Sequence, residues 1–429
     1  MGKKIGKNIF SIVTSVVLIV AVGIPSIALS QERKITVTYM SAGTYDVAAK
    51  EVAPEFERLT GIKVKIAAFP WAVLRQKNQM DLITGAGNYD VMCGSYYLAK
   101  VYKFFHSLDR YIARDNYGVG MISGLLEKCQ GYKGHQIGVP YGGDCLSIMY
   151  RTDLFEEAGL GIPHTWEGII GAAGKLDTLY RKEGIYGYAF GCAAAGGDLG
   201  NHLYTKYDGT LISADNKFHL EPQKAVRALK KTQQLFDYAP SGYVAITMDE
   251  VSAMFLQGKV GIIEYWPSFT RAAANDPARS NIVGKWGILP YPEVGFPFLS
   301  MWEMFISTYS RDKDAAWEWI KFYTGEKYAK HFFEKYGIGS MYASTYKDLE
   351  LLKKHGHDFP GLLANLKRAK NPTLTGEAQD FMISTLSEVL MGELTPEEAV
   401  VKINAKWADL EVPEAVIEMA EATGLKAKW

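Results

Sequence analysis

The sequence predicts an α/β protein built from two bodies, and three observations carry that reading. The chain has 429 residues, too many for one typical core and suited to two domains of ~100–200 residues each. Its composition, 48% hydrophobic and 22% charged, fits a folded globular protein. β-branched runs alternate with segments of helical period along most of the chain.

Lys3, Lys4 and Lys7 precede an apolar run from Ile9 to Ile24, and "PSIALS" follows with small residues at Ala28 and Ser30. This is the pattern of a secretory signal peptide over 1–30. The run is short for a membrane span of ~20 residues and is diluted by Ser11, Thr14 and Ser15. With no cysteine at the cleavage site and no twin arginine, the expectation is export through the Sec route. The mature chain would then be periplasmic or secreted, without a lipid anchor or a cofactor loaded beforehand.

The mature chain opens on the strand "RKITVTYM", followed by a helix "DVAAKEVAPEFERLTG" that stops at Gly61. "IKVKIAAF" is the next strand, "AVLRQKNQMDLITGAG" the next helix and "YDVMCG" a third strand. This alternation predicts an open, largely parallel sheet with helices on both faces. Ligands bind such sheets beyond the carboxyl ends of the strands, here Ser41–Thr44, Phe69–Trp71 and Gly94–Tyr97. The pattern restarts after Gly143. "CLSIMY", "YGYAFG", "VGIIEYW" and "MFISTYS" read as strands. "TDLFEEAG", "TWEGIIGAAGKLDTLYRKEG" capped by Thr165, "PQKAVRALKKTQQLFDYAP" and "TMDEVSAMFLQGK" read as helices. "AAWEWIKFYTGEKYAKHFFEKYG" reads as one long helix, and the last eighty or so residues as helical, with Thr395 capping "PEEAVVKINAKWADL". No internal repeat or low-complexity linker separates the two bodies.

Formal net charge is zero, and no basic stripe or acidic tail is present, which argues against nucleic acid as a partner. The four cysteines, Cys93, Cys129, Cys145 and Cys192, form no CxxC motif. An exported protein permits disulfides, and three full pairings or buried free thiols are all open. "FGCAAAGGDLGN" (Phe190–Asn201) lacks the ending of a phosphate loop and reads as a flexible loop. "HGHD" (His355–Asp358) reads as a solvated turn rather than a metal site. No G-x-S-x-G elbow or H-E-x-x-H helix is present, so no catalytic residues, cofactor or metal ligands are assigned.

"PEFERLTGIKVKI", "TGAGNYDVM", "LDRYI", "GVPYGGDCLSIMYRTDLFEEAGLGIPHTWEGI", "MFLQGKVGIIEYWPS" and "LMGELTPEEAVVKINAKW" follow one another in an order that resembles the family 1 extracellular solute-binding proteins, the maltose-binding-protein-like receptors of bacterial ABC importers. The resemblance implies a two-lobe clamp, each lobe a sheet flanked by helices, with several hinge crossings. Lobe I would comprise 31–142 plus about 300–350, and lobe II 143–299 plus about 351–429. It implies a monomeric, cofactor-free receptor that binds a sugar or polyol between the lobes and delivers it to a membrane permease.

Against that frame, Gly142 and Gly143 are hinge candidates, since glycine tolerates φ angles that other residues avoid. Asp144 is a candidate acceptor for ligand hydroxyls; the alternatives are that it caps a helix or pairs with Arg151. Aromatics make up 13% of the chain, and sugars stack their C–H faces on rings. Trp266, Trp302, Trp71, Tyr141 and Tyr97 are the candidate stacking residues. Ser95 and Thr44 stand at strand ends, and Glu264 is either a second acceptor or a solvated strand-edge residue. Trp317, Trp319, Trp166 and Trp407 read as structural. Departures from the maltose pattern, Gly94–Ser95 and Phe381–Met382 in place of tryptophans, leave the solute open. A polyamine, a phosphorylated polyol, and a secreted carbohydrate-active enzyme are the rival readings.

Overall fold

In the computed structural model, residues 32–41, 44–193, 199–371 and 374–428 are described. The expected signal peptide over 1–30 lies outside the described residues. Among the described residues, eleven strands follow in chain order. These are β1 (Lys34–Met40), β2 (Lys63–Phe69), β3 (Val91–Gly94), β4 (Gly131–Tyr132), β5 (His135–Gln136) and β6 (Gly138–Cys145), then β7 (Ser147–Arg151), β8 (Tyr186–Ala189), β9 (Val260–Tyr265), β10 (Trp286–Leu289) and β11 (Leu299–Ile306). They form a five-stranded sheet in the order β2-β1-β3-β11-β6, a four-stranded sheet β10-β7-β9-β8 and the hairpin β4-β5.

Both larger sheets are mixed, which corrects the expectation of a largely parallel architecture. β1 pairs in parallel with β2 and β3. β11, which enters from far along the chain, then lies antiparallel to both β3 and β6. In the second sheet β9 is parallel to β8 and antiparallel to β7. The chain passes from the first sheet to the second at Leu146, between β6 and β7. It returns over 290–298, between β10 and β11.

Most local signals act as the sequence suggests. Tyr45–Thr60 ends on Gly61 at φ 72°, whose N–H caps the Glu57 carbonyl. Thr165 Oγ1 accepts from Gly168 N, and Thr247 and Thr395 each form a capping box, with Glu250 and Glu398. The long helix expected over "AAWEWIKFYTGEKYAKHFFEKYG" is two helices, Lys313–Thr324 and Glu326–Tyr336. They part at Gly325, whose ψ of 149° is extended. β10 and the helices Leu199–Lys206 and Pro267–Ala274 had no strong sequence signal. β10 and Leu199–Lys206 are short and buried along their whole length, and Pro267–Ala274 exposes only Phe269 and Ala272, both apolar, so no exposed polar face marks a period.

Gly142 and Gly143 lie within β6 at φ 152° and 136°. A Cβ on Gly143 would stand 2.3 Å from the Ser300 carbonyl oxygen, and one on Gly142 would stand 2.6 Å from Ile338 Cγ2. These glycines are required by close approach as well as by φ. The ladder with β11 shifts register between Trp302 and Glu303 beside them, a bulge that kinks the strand pair where it leaves the first sheet.

Candidate functional site

The parallel register of β1, β2 and β3 puts their carboxyl ends on one edge of the first sheet. That edge carries an aromatic wall. The Trp71 ring meets Tyr97 edge-on at 4.5 Å and Trp302 at 5.2 Å. Trp302 meets Tyr45 at 6.3 Å, and Tyr45 meets Tyr141 at 5.6 Å. Trp71 is half-buried, while Trp302 and Tyr97 keep 9% and 8% of their surface exposed, so the wall faces a space at its edge. The Arg75 guanidinium lies 5.7 Å from the Trp71 ring and 5.4 Å from that of Tyr97.

The second sheet meets this wall through the end of β9. Trp266 follows β9, and Pro267 opens the helix Pro267–Ala274. The Ser268 N–H at that helix N-terminus donates to Asp144 Oδ2. Asp144 therefore caps a helix of the other sheet, and Arg151 pairs with Asp153 instead, at 2.6 Å. Burial pushes the Asp144 carboxyl up to about 7, against the opposing pull of the Ser268 N–H and the Arg271 charge. A carboxyl so placed has too few polar partners to offset its burial.

Several polar atoms around it share that lack. Asp144 Oδ1, Trp266 Nε1 and the Tyr45 and Tyr141 hydroxyls are buried without a partner in hydrogen-bonding geometry. The structural tryptophans behave differently. The indole N–H of Trp166 reaches Val294 O, that of Trp286 reaches Asn275 Oδ1, and Trp317 reaches Asp115. Trp319 donates to Tyr39 and Trp407 to Ala378 O. Buried polar groups are almost always paired, so these four atoms make this the candidate site.

Glu264 is not among them, and its expected role as an acceptor at the cleft, or as a solvated edge residue, is corrected. It is fully buried on β9, where Lys206 Nζ donates to its Oε1 at 2.7 Å and Tyr188 at 2.8 Å. Thr205 donates to Oε2 at 3.1 Å. Burial alone would raise this carboxyl, but Lys206 and His202 hold it below its usual value. Burial brings Lys206 itself down to about 8, even with Glu264 beside it. Ser95 is buried, its hydroxyl donating to Met301 O. Thr44 is exposed at φ 65°, its hydroxyl 3.4 Å from Tyr336 O. Neither hydroxyl is aimed at the unpaired cluster.

Tyr45 and Ser268 were missed in sequence. Ser268 had one usable signal, a polar residue behind Trp-Pro where a strand turns into a helix. The other motifs resolve plainly. In "HGHD", Asp358 is buried and pairs with Arg271 at 2.9 Å, and His357 packs edge-on against Trp286 at 4.9 Å. Among the described residues no His, Cys, Asp or Glu cluster could hold a metal ion. All four cysteines are buried, and none is in a disulfide. Residues 194–198 of the glycine-rich segment lie outside the described residues, and its end begins the helix Leu199–Lys206. Met382 is buried.

Residues 42–330 match the family of bacterial extracellular solute-binding proteins. The chain belongs to that family. A probable amino-acid ABC transporter periplasmic-binding protein of Sinorhizobium fredii is 25% identical over 391 residues, 85% of this chain and 86% of its own length. The mannitol-binding protein of Pseudomonas aeruginosa is 25% identical over 308 residues, 65% of this chain and 67% of that one. The chain spans a similar share, 66%, of a probable ABC transporter-binding protein of Deinococcus radiodurans, at 26% identity over 280 residues. Among solved structures, an ABC transporter solute-binding protein of Agrobacterium radiobacter K84 in complex with ribitol superposes with a TM-score of 0.76 at 24% identity, covering 88% of this chain and 98% of that one. This family member thus has the two-lobe fold of its neighbours. Among its described residues no helix is long and apolar enough to cross a membrane.

Proposed function

We propose that this solute-binding protein is the extracytoplasmic receptor of an ABC importer and that it takes a sugar or polyol between two lobes. The observation that carries this reading is the cluster of unpaired buried polar atoms, Asp144 Oδ1, Trp266 Nε1 and the Tyr45 and Tyr141 hydroxyls, beside the Trp71–Trp302–Tyr97 wall. A polyol brings hydroxyls that both donate and accept, and apolar C–H faces for rings. Proteins similar to this one are a mannitol-binding protein and a ribitol complex, which supports the polyol side of the reading.

In this account the first sheet and the helices around it form lobe I (31–142 plus about 300–350). The second sheet belongs to lobe II (143–299 plus about 351–429), and Gly142–Gly143 lie at a hinge crossing. Trp71 and Trp302 belong to lobe I, and Asp144 and Trp266 to lobe II, so a ligand touching both sets is fully bound only when the lobes meet. It therefore shifts an open–closed equilibrium towards the closed form. The mature protein would work as a monomer outside the cytoplasm after cleavage near Ser30, present its closed form to a permease, and turn nothing over.

A second reading keeps the clamp and changes the charge of the solute. Arg75 has no carboxylate partner among the described residues and stands over two rings of the wall. That favours an acidic polyol such as a phosphorylated one. A thermal-shift screen of residues 31–429 against sugars, sugar alcohols, phosphorylated polyols, polyamines and amino acids separates these outcomes. Ligand at 100 times its Kd should stabilise the fold by about 2.7 kcal/mol. A shift with neutral sugars or polyols supports the first reading, and one confined to anionic solutes supports the second. A shift with amino acids or polyamines alone, or product released from a bound sugar, would refute both.

A further inference from the structure

A second recess lies away from the aromatic wall. It has a volume of about 590 Å³ and is lined by Lys128, Phe296, Lys370 and the C-terminal residues Ala422–Leu425, with Tyr207–Thr210 opposite. Lys370 and Lys128 are both only partly exposed. The Lys370 ammonium has no carboxylate and no hydrogen-bond acceptor among the described residues, and stands 5.4 Å from the Phe296 ring centre. Lys128 Nζ donates to the Leu366 and Lys367 carbonyls at the end of the helix Phe359–Arg368.

The acids around the recess do not neutralise this pair. Glu221 is taken by Lys224 at 2.8 Å and by the Thr210 N–H at 2.8 Å. Asp208 and Glu293 are exposed on the rim and pair with neither lysine. Burial lowers both amines, and the Lys370 charge lowers Lys128 further. Two partly buried cations without a counter-charge are unfavourable unless an anion joins them.

We propose that this recess is a binding site for a small oxyanion, held between the ammonium groups of Lys128 and Lys370. The site is independent of the solute reading. Its backbone is tied to the strand that carries Trp302. Leu299 N, at the start of β11, donates to Lys370 O at 2.8 Å, and Lys370 N donates to Pro297 O at 3.1 Å.

The test is isothermal titration of the mature protein with inorganic phosphate at constant ionic strength, with sodium chloride as the matched control. Saturable one-site binding of phosphate is expected. It should weaken at least tenfold in Lys370→Gln, survive in Lys370→Arg, and be unchanged in Lys353→Gln, an exposed lysine elsewhere. Lys370→Gln removes no side-chain hydrogen bond and relieves an uncompensated charge, so in the absence of phosphate it should melt at or above the parent's temperature. As a second readout, phosphate should slow acylation of Lys370 by an amine-reactive ester at least threefold, measured by mass spectrometry. The absence of saturable binding, equal heats with chloride, undiminished binding in Lys370→Gln, or unprotected Lys370 would each overturn the proposal.

Discussion

Asp144 concentrates the chemistry of this molecule at a single carboxyl. Its value of about 7 arises because burial outweighs one backbone N–H and a more distant guanidinium. The stability this group contributes is full below its unfolded value near 3.9 and is lost as pH rises through 7. Asp144→Asn should therefore raise the melting temperature of the ligand-free protein at pH 8 and leave it nearly unchanged at pH 4, as calorimetry would show. Solute affinity should move the other way. A ligand hydroxyl donating to the carboxylate favours the ionised form, so binding releases a proton. Affinity should rise roughly tenfold between pH 6 and pH 8 in titrations of the parent protein, and stay flat in Asp144→Asn. Trp266→Phe keeps the ring and removes the unpaired indole donor. It should weaken binding by about 0.5–1.5 kcal/mol, while Trp266→Ala should weaken it more.

At the scale of elements, β6 and β9 hold the site in different ways. β6 reaches it through backbone geometry. Gly143→Ala must open the ladder against Ser300 O, and its φ is strained for any side chain. Gly142→Ala meets side chains first, the Ile338 γ2 methyl and the Tyr45 ring edge, rather than backbone. Both should destabilise by about 1–3 kcal/mol from φ alone, with Gly143→Ala the worse of the two by denaturant unfolding. β9 is anchored by the Glu264–Lys206 pair, whose side chains are fully buried. Glu264→Gln strands the lysine and should cost about 3–5 kcal/mol. The affinity of the remaining folded protein should change little, because Glu264 serves the core and not the cleft.

The same elements show how far the sequence could be read. Strands and helices with a clear period, stops such as Gly61 and caps such as Thr165, Thr247 and Thr395 were legible because their signals are local. The break at Gly325 was not, since apolar spacing continues across it and a lone glycine is tolerated in a helix. β10 and Pro267–Ala274 were not, since a short segment with no exposed polar face shows no periodicity. Of the candidate site, Asp144 and Trp266 were legible as polar and aromatic residues at strand ends. Glu264 had the same local appearance. Its partner Lys206 lies 58 residues away, so only the folded chain separates a core ion pair from a ligand contact.

At the scale of the whole molecule, two mixed sheets are joined by crossings at Leu146 and at 290–298, and Asp144 of β6 meets the Trp266–Ser268 turn that follows β9. Closure on ligand should appear as a smaller radius of gyration in solution scattering, and the change should vanish in Asp144→Ala. The most direct test of the central claim is isothermal titration of residues 31–429 with the best sugar or polyol, in the parent chain and in Asp144→Ala. The account predicts saturable one-to-one binding without turnover in the parent, weakened by about 1.5–3 kcal/mol, roughly tenfold to a hundredfold, in the variant. Equal affinity in a folded Asp144→Ala protein would contradict it.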